Sequence, residues 1–299
     1  MSSRLRFLFS LAAAIAAASL LAAALRRRAP PSGLAARLVP APMAAAAARN
    51  RSFVLWLHGL GDSGPANEPI RNFFSAPEFR LTKWVFPSAP NSPVSCNHGA
   101  VMPSWFDIHE LPMSSGSPQD DSGVLKAVEN VHAMIDKEVA DGIPPENIFV
   151  CGFSQGGALT LASVLLYPKT LGGGAVFSGW VPFGSSVTER ISPEARKTPI
   201  LWSHGIADNV VLFEAGQAGP PFLQNAGFSC EFKVIMYLLF FLHIRGPLIY
   251  RLVLIVSSYH LCLFNQAYPG LGHSISKEEL YSLESWIKNH LKASQEKEN

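Results

Sequence analysis

The sequence predicts an α/β fold in which a mostly parallel central sheet carries helices on both faces. The first observation is a series of short, continuous apolar runs, such as FVLWL at Phe53–Leu57 and IFVCG at Ile148–Gly152, which are typical of strands buried on both faces. The second observation is an amphipathic helical pattern between such runs. The third is that the two kinds of segment alternate along the chain.

Three further apolar runs are predicted to complete the sheet, at Lys83–Phe86, Ala175–Ser178 and Ile200–Ser203. A helix is predicted over Gly123–Ala140, followed by Gly142 as a stop signal. Its apolar face comprises Val124, Val128, Val131, Ile135 and Val139. A closing helix is predicted to begin at a capping box formed by Ser276 and Glu279. Its apolar stripe comprises Leu280, Leu283, Trp286, Ile287 and Leu291.

The bulk composition is that of a folded domain with one sizeable core. The chain has 299 residues, 48% of them hydrophobic, and a net charge of +2, so no strong basic field points to nucleic acid as a partner. The four cysteines show no CxxC spacing and no metal-ligand pattern. They are Cys96, Cys151, Cys230 and Cys262. We therefore expect neither a metal nor a disulfide framework, and a reducing compartment suits these thiols.

Residues 1–51 form an extension of different character. This stretch has no acidic residue, contains the cluster Arg26-Arg27-Arg28, and includes an uncharged apolar run from Phe7 to Leu25. Three interpretations remain open: a signal anchor that associates with a membrane, an organellar transit peptide, and a dispensable extension. Because Met43 lies shortly before the first strand, a product that starts there would retain the whole of the predicted domain, residues 52–299.

A second unusual segment, Val234–Gln266, is far more apolar than its flanks and interrupts what resembles a strand. Without it, Cys230–Lys233 would run directly into Ala267. A transmembrane interpretation conflicts with Arg245 and Arg251 in its middle, because such charges are costly at the centre of a bilayer. Valine codons begin with GT and glutamine can be encoded by CAG, so an in-frame retained intron would begin and end with these two residues. We therefore favour an insertion derived from such an intron.

The chemical motif is Gly152-Phe153-Ser154-Gln155-Gly156, which fits G-x-S-x-G. A buried strand precedes it and a helix-forming run, Gly157–Ala162, follows it. This is the strand, sharp turn and helix in which a nucleophilic serine is held at the carboxyl edge of an α/β-hydrolase sheet. The sequence therefore predicts Ser154 as the nucleophile.

A serine hydroxyl needs a base to take its proton and an acid to orient that base. In this fold the partners follow in the order serine, acid, histidine. Asp208 lies in the loop after the strand Ile200–Ser203 and is the predicted acid, with Glu214 as its nearest rival. His273 lies in a glycine-rich loop before the closing helix and is the predicted base.

Acyl transfer also needs donors for the developing oxyanion. We expect one to be the backbone N–H of Gln155 and the other that of Leu60, in the loop HGLGDSG after the first strand. The glycines of this loop could also suggest a phosphate loop, but the required Gly-Lys-Ser/Thr ending is absent. Trp105 and Trp180, with Phe106 and the stretch Pro87–Pro103, are candidates for lining an apolar acyl channel, although packing in the core explains them equally well.

Four motifs in register resemble those of the acyl-protein thioesterase and small carboxylesterase family of the α/β-hydrolase superfamily, and the chain looks like a plant member. They are HGLGDSG, MPSWFDI at Met102–Ile108, GFSQGGA and GLGHS. The resemblance runs from about Ser52 to Leu291, without the segment 234–266. It implies the triad Ser154, Asp208 and His273, oxyanion donors at Leu60 and Gln155, and no metal or cofactor. It also implies cytoplasmic hydrolysis of S-palmitoyl groups on proteins or of small acyl esters.

The segment Val234–Gln266 ends shortly before His273, so we expect it to disturb the catalytic loop. Because a displacement of about 1 Å can lower a rate ~100-fold, the sequence predicts weak or no activity unless the segment bulges out of the fold. Deleting it should then restore turnover. An alternative of another class also remains open, a catalytically inactive hydrolase-like protein or a membrane-tethered binding module.

Overall fold

The computed structural model describes residues 51–227, 263–268 and 270–296, with the backbone alone for residues 185, 186, 263–268, 295 and 296. All of them belong to one compact unit, Ala47–Asn299. The extension 1–51, except its last residue, and the greater part of the segment 234–266 lie outside the described residues. Within the part of the chain that is described, no helix is long and apolar enough to span a membrane.

Eight strands occur in the described residues, and six of them form a central sheet. In chain order they are β1 (Ser52–Leu57), β2 (Thr82–Val85), β3 (Asn91–Val94), β4 (Ala100–Pro103), β5 (Ile148–Phe153), β6 (Gly173–Phe177), β7 (Ile200–Gly205) and β8 (Leu263–Tyr268). The sheet has the order β2-β1-β5-β6-β7-β8, and every neighbouring pair is parallel. The strands β3 and β4 form a separate antiparallel hairpin.

Helices cover both faces of this sheet, as predicted. They are α1 (Gly64–Asn67), α2 (Asp121–Ala140), α3 (Gln155–Leu166), α4 (Phe213–Gln217), α5 (Gly219–Asn225) and α6 (Lys277–Glu296). Successive side chains of β1 alternate between the two layers: Leu55 packs in the cluster with α2 and α3, and Trp56 packs in the cluster with α6. Both side chains are fully buried, which explains why the strand is apolar from Phe53 to Leu57.

The order of the strands reverses between β1 and β5. From β1 the chain moves outward to β2, and from β5 it moves in the opposite direction through β6 and β7 to β8. Such a reversal opens a crevice at the carboxyl ends of the two central strands, where ligands bind in open α/β sheets. The loop beginning at His58 leaves β1 at this point, and Ser154 leaves β5 beside it.

The structure confirms all five predicted strands, with ends that move by only a few residues. It also contains the hairpin β3–β4, which the sequence did not predict. A strand was expected to reach Ala267 from Cys230–Lys233, and β8 reaches it from Leu263. The last four residues of the predicted insertion, 263–266, belong to β8, which pairs with β7 from Ile200↔Leu263 to Gly205↔Tyr268. They satisfy backbone groups that β7 presents at this edge of the sheet. That the segment Val234–Gln266 is an insertion stays a prediction.

Candidate active site

Ser154 lies at the turn between β5 and α3 in a strained conformation. Its backbone has φ 55° and ψ −122°, a region that residues with a side chain rarely occupy, and α3 begins at the next residue. The turn is possible only because its neighbours are glycines. A Cβ atom at Gly152 would lie 2.3 Å from the carbonyl oxygen of Gly156, and one at Gly156 would lie 2.1 Å from the carbonyl oxygen of Leu57. This geometry confirms the predicted strand, turn and helix.

The structure brings the three predicted triad residues together. The Nε2 atom of His273 lies 3.0 Å from the Oγ atom of Ser154, and its Nδ1 atom lies 2.8 Å from the Oδ2 atom of Asp208. The side chain of Asp208 is fully buried, whereas that of His273 is 16% exposed. The rival acid Glu214 lies exposed on α4, and Asp208 alone of the two contacts the imidazole.

Asp208 is held as a charged acceptor. Its Oδ1 atom accepts hydrogen bonds of 2.9 Å from the backbone N–H groups of both Val210 and Val211. Burial alone would raise the pKa of Asp208, but the hydrogen bonds from His273 and from these two N–H groups outweigh it and hold the pKa below its ordinary value. The carboxylate therefore stays ionised and holds the proton of the imidazole on Nδ1, which leaves Nε2 free to act as a base.

A second histidine, His204, supports this turn without entering the triad. It is buried at the end of β7, and its Nε2–H donates to the carbonyl oxygen of Val211 at 2.9 Å. Burial lowers the pKa of His204, so the ring is neutral at pH 7. His204 thereby fixes the residue whose N–H binds Asp208.

The loop that carries His273 is tied to the same end of the sheet. The backbone N–H of Ala207 donates to the carbonyl oxygen of Leu271 at 3.0 Å, which joins the acid loop to the histidine loop. The ring of Phe153 packs on the imidazole with 4.8 Å between ring centroids. The imidazole is therefore fixed by a hydrogen bond at each nitrogen and by an aromatic ring on its face.

The two predicted oxyanion donors flank Ser154. Gln155 follows it at the start of α3, and Leu60 lies in the loop after β1. This loop passes directly against the nucleophile, since a Cβ atom at Gly59 would lie 3.3 Å from Ser154 Cβ. Within the described residues, neither the Leu60 N–H nor the Gln155 N–H donates to another protein group. Both are therefore available for a negatively charged oxygen.

The side chain of Gln155 has a function that the sequence did not reveal. It is fully buried, and its Nε2 atom donates to the Oγ atom of Ser104 at 2.9 Å and to the carbonyl oxygen of Phe106 at 2.7 Å. Its Oε1 atom accepts from the backbone N–H of Trp105 at 3.1 Å. The amide therefore fastens the segment SWF, part of the motif MPSWFDI, to the nucleophile turn. The sequence signal for this contact was that Ser104, Trp105 and Phe106 belong to the recognisable motif MPSWFDI.

The two tryptophans proposed for the acyl channel differ in position. Trp180 is 2% exposed and packs edge-on against Phe106, so it belongs to the core beside the site. Trp105 is only partly buried, and its Nε1–H donates to the carbonyl oxygen of His58 at 2.8 Å. The indole of Trp105 thus helps to hold the loop after β1. A substrate contact of either residue stays a prediction.

Comparison with known proteins identifies the family of the chain. A family model described as phospholipase/carboxylesterase matches residues 41–238, which include Ser154 and Asp208. A protein from Oryza sativa subsp. japonica named "Probable carboxylesterase" is 88% identical over 299 residues, 100% of both chains. The crystal structure of Arabidopsis thaliana SOBER1 shares 58% identity with a TM-score of 0.69, and the match covers 81% of this chain and 99% of that one.

A more distant relative extends the comparison to thioesters. The protein named "Acyl-protein thioesterase 1" from Cryptococcus neoformans is 36% identical over 240 residues, 80% of this chain and 92% of that protein. Together the matches confirm the resemblance that the four motifs indicated.

Proposed function

The chain belongs to the phospholipase/carboxylesterase family and has the α/β-hydrolase fold, and we propose that it is a serine hydrolase that cleaves small carboxylic esters and the S-acyl thioesters of proteins. Membership of the family supports an ester hydrolase. The single observation that supports Ser154 as the nucleophile is the continuous chain from Ser154 Oγ through His273 to Asp208, with contacts of 3.0 Å and 2.8 Å.

The geometry allows a complete acyl-transfer cycle without a metal or cofactor. The Nε2 atom of His273 takes the proton of Ser154 as Oγ attacks the acyl carbonyl carbon, and the carbonyl oxygen becomes an oxyanion between the Leu60 and Gln155 N–H groups. Collapse of this intermediate breaks the bond to the leaving alcohol or thiol, which receives the proton from His273. Water, deprotonated by the same imidazole, then attacks the acyl-enzyme and releases the carboxylic acid and Ser154.

An S-acylated protein is the proposed physiological substrate. A thiol is a better leaving group than an alcohol, so machinery that cleaves an ester also serves a thioester. The likeness to the fungal acyl-protein thioesterase supports this choice. We also propose a cytoplasmic location, because Cys96 and Cys151 form no disulfide within the described residues, as suits a reducing compartment.

The nucleophile is tested by labelling the full chain with a fluorophosphonate, which reacts with activated serines. We expect wild type to label and Ser154→Ala not to label. The matched control is Ser163→Ala, on the same helix α3, because Ser163 Oγ is buried and has no hydrogen-bond partner among the described residues. Equal labelling of wild type and Ser154→Ala would refute the assignment.

Substrate class is tested by comparing a short-chain p-nitrophenyl ester with a peptide that carries a palmitoyl thioester. Turnover of both, abolished by Ser154→Ala, is the expected result. Turnover of the short ester alone would leave a carboxylesterase and remove the thioesterase proposal. If neither substrate is cleaved and no serine is labelled, the chain is a hydrolase-like binding protein.

A further inference from the structure

We propose that His58 is a positioning residue that aims the backbone N–H of Leu60 at the reacting oxygen; this inference rests on the proposed hydrolase activity. His58 is the first residue of the loop that carries Leu60, and it is fully buried directly after β1. It does not contact Ser154, Asp208 or His273 in the hydrogen bonds of the described residues. We therefore expect His58 to affect the reaction by fixing the backbone of the loop that carries Leu60.

The hydrogen bonds of His58 fix the position of its proton. The backbone N–H of Ala89 donates to Nε2 of His58 at 2.9 Å. A backbone N–H can only donate, so Nε2 is the unprotonated nitrogen and the ring proton resides on Nδ1. This Nδ1–H then donates to the carbonyl oxygen of Gly59, 2.7 Å away. Ala89 therefore selects the tautomer that His58 needs in order to hold Gly59.

Holding the carbonyl of Gly59 fixes the direction of the Leu60 N–H. The two groups belong to one peptide unit, which is planar and trans, so they point in opposite directions. The carbonyl also accepts from the backbone N–H of Asp62 at 3.2 Å. With two donors on one side of the peptide, rotation of this unit would break both bonds. The Leu60 N–H is thus held on the other side, in a loop that passes directly against Ser154.

Neighbouring groups hold His58 itself. The indole of Trp105 donates to the carbonyl oxygen of His58 at 2.8 Å and lies tilted against the imidazole, with 5.1 Å between ring centroids. The backbone N–H of Trp105 in turn donates to the side chain of Gln155. A continuous set of contacts therefore runs from one oxyanion donor, Leu60, through His58 and Trp105 to the other, Gln155.

An oxyanion donor acts on the transition state more than on the bound substrate. Loss of its orientation should lower kcat, with KM almost unchanged. Removing a donor outright lowers kcat about 10²–10³-fold in well-studied cases, so a donor that is present but free to turn should cost about 10–100-fold. A residue that only braced the core would lower stability without this selective loss in kcat.

The experiment compares His58→Asn with His58→Gln in the full chain. The amide of asparagine reaches the position of Nδ1 and can still donate to the carbonyl oxygen of Gly59. The amide of glutamine reaches the position of Nε2, where it can accept from the Ala89 N–H but cannot reach Gly59. We expect His58→Gln to lose about 10–100-fold in kcat and His58→Asn to retain most of it. His132→Gln is the control and should retain wild-type kcat, because His132 is a partly buried histidine on α2 that also contacts a backbone carbonyl, that of Ser163.

A trifluoromethyl ketone provides a second measurement, because its adduct with Ser154 places an oxyanion in the same position. Its Ki should rise in His58→Gln by the factor by which kcat/KM falls. A larger loss of kcat in His58→Asn than in His58→Gln would overturn the proposal. So would a lower kcat in His58→Gln with an unchanged Ki. If wild type itself shows no Ser154-dependent turnover, the proposed function is wrong and this inference falls with it.

If the His58 variants do not fold, Trp105→Phe tests the same proposal. It removes only the donor to the His58 carbonyl and part of the ring, and it should lower kcat with unchanged KM in the same direction as His58→Gln. Trp84→Phe is the matched control, because Trp84 lies on β2 and forms no hydrogen bond through its indole among the described residues. Equal kcat in wild type and Trp105→Phe would then contradict the proposal.

Discussion

Replacing Glu279 with alanine should loosen the attachment of the histidine loop to the sheet. Glu279 is 2% exposed in the first turn of α6. Its Oε2 atom accepts from the backbone N–H of Ser276 at 2.7 Å, and its own N–H donates to Ser276 Oγ at 3.1 Å, which is the predicted capping box. Its Oε1 atom also accepts from Ser203 Oγ on β7 at 2.5 Å. One carboxylate therefore joins the loop after His273 to the strand before Asp208.

The expected loss of stability follows from these bonds. Disruption of an N-terminal cap costs about 0.5–2 kcal/mol, and a buried hydroxyl left without its partner costs about 1–3 kcal/mol. Glu279→Ala should therefore lower the free energy of unfolding by about 2–4 kcal/mol, or the Tm by roughly 5–15 °C in a domain of this size. We also expect a lower kcat, since Ser276 is close to His273 in the chain.

Glu279→Gln should behave differently because it keeps both contacts without a charge: its Oε1 can accept from the Ser276 N–H, and its amide nitrogen can donate to Ser203 Oγ. Burial raises the pKa of Glu279 above its ordinary value of 4.5, although the bonds from Ser203 and Ser276 oppose this. The folded state of wild type thus binds more protons than the unfolded state between 4.5 and the raised pKa, and its stability falls as pH rises through that window. The stability of the glutamine variant does not have this pH dependence, because the glutamine at position 279 does not titrate.

The assay is urea unfolding of wild type and Glu279→Gln at a series of pH values, because the difference between the two isolates this one group. The stability of the glutamine variant relative to wild type should be lowest below pH 4.5, rise through the window and stay constant above it. If the relative stability falls as pH rises, the ionised carboxylate stabilises the fold and the reasoning is wrong. Glu110→Gln, at an exposed glutamate outside α6, is the control.

Three further predictions concern the active site. Gly156→Ala should abolish turnover, because its Cβ would lie 2.1 Å from a backbone carbonyl of β1; a fluorophosphonate assay that still labelled the variant would contradict this. Asp208→Asn should lower kcat about 10⁴-fold by allowing the wrong imidazole tautomer, with little change in circular dichroism; a loss below about tenfold would argue against the triad. Deleting residues 230–262, which leaves β8 whole, should preserve Ser154-dependent ester hydrolysis, and loss of activity with a folded product would show that the segment is required.

The sequence predicts the parts of the site that depend on local pattern. The strand, turn and helix around Ser154 are encoded within a short stretch, because G-x-S-x-G stands between an apolar run and a helix-forming run. The glycine at 152 is required by a contact with residue 156, whereas the glycine at 156 is required by the distant Leu57 on β1. Asp208 and His273 follow from the order in which this fold presents its partners. Each lies in a loop directly after a buried strand or before an amphipathic helix, and those periodicities are readable from one sequence.

Contacts between distant segments could not be predicted in the same way. The side chain of Gln155 bonds Ser104 and Phe106, and His58 accepts from Ala89, because four separate loops converge at the carboxyl ends of β1 and β5. The spacing of apolar residues along one segment does not indicate such a contact. The hairpin β3–β4 was also missed, since its strands are short, largely exposed and contain proline, and they lack the apolar runs that identified the sheet.

The strand β8 bears most directly on the expected effect of the segment 234–266. The predicted loss of activity depended on a displaced His273, but the register of β8 is set from Leu263 onward by its pairing with β7. His273 follows within a few residues, and its Nε2 atom lies within hydrogen-bond distance of Ser154. The position of the base thus depends on the strand that immediately precedes it and not on the length of chain before that strand. Since a longer connection adds closure entropy only slowly, the triad geometry is compatible with the full-length chain.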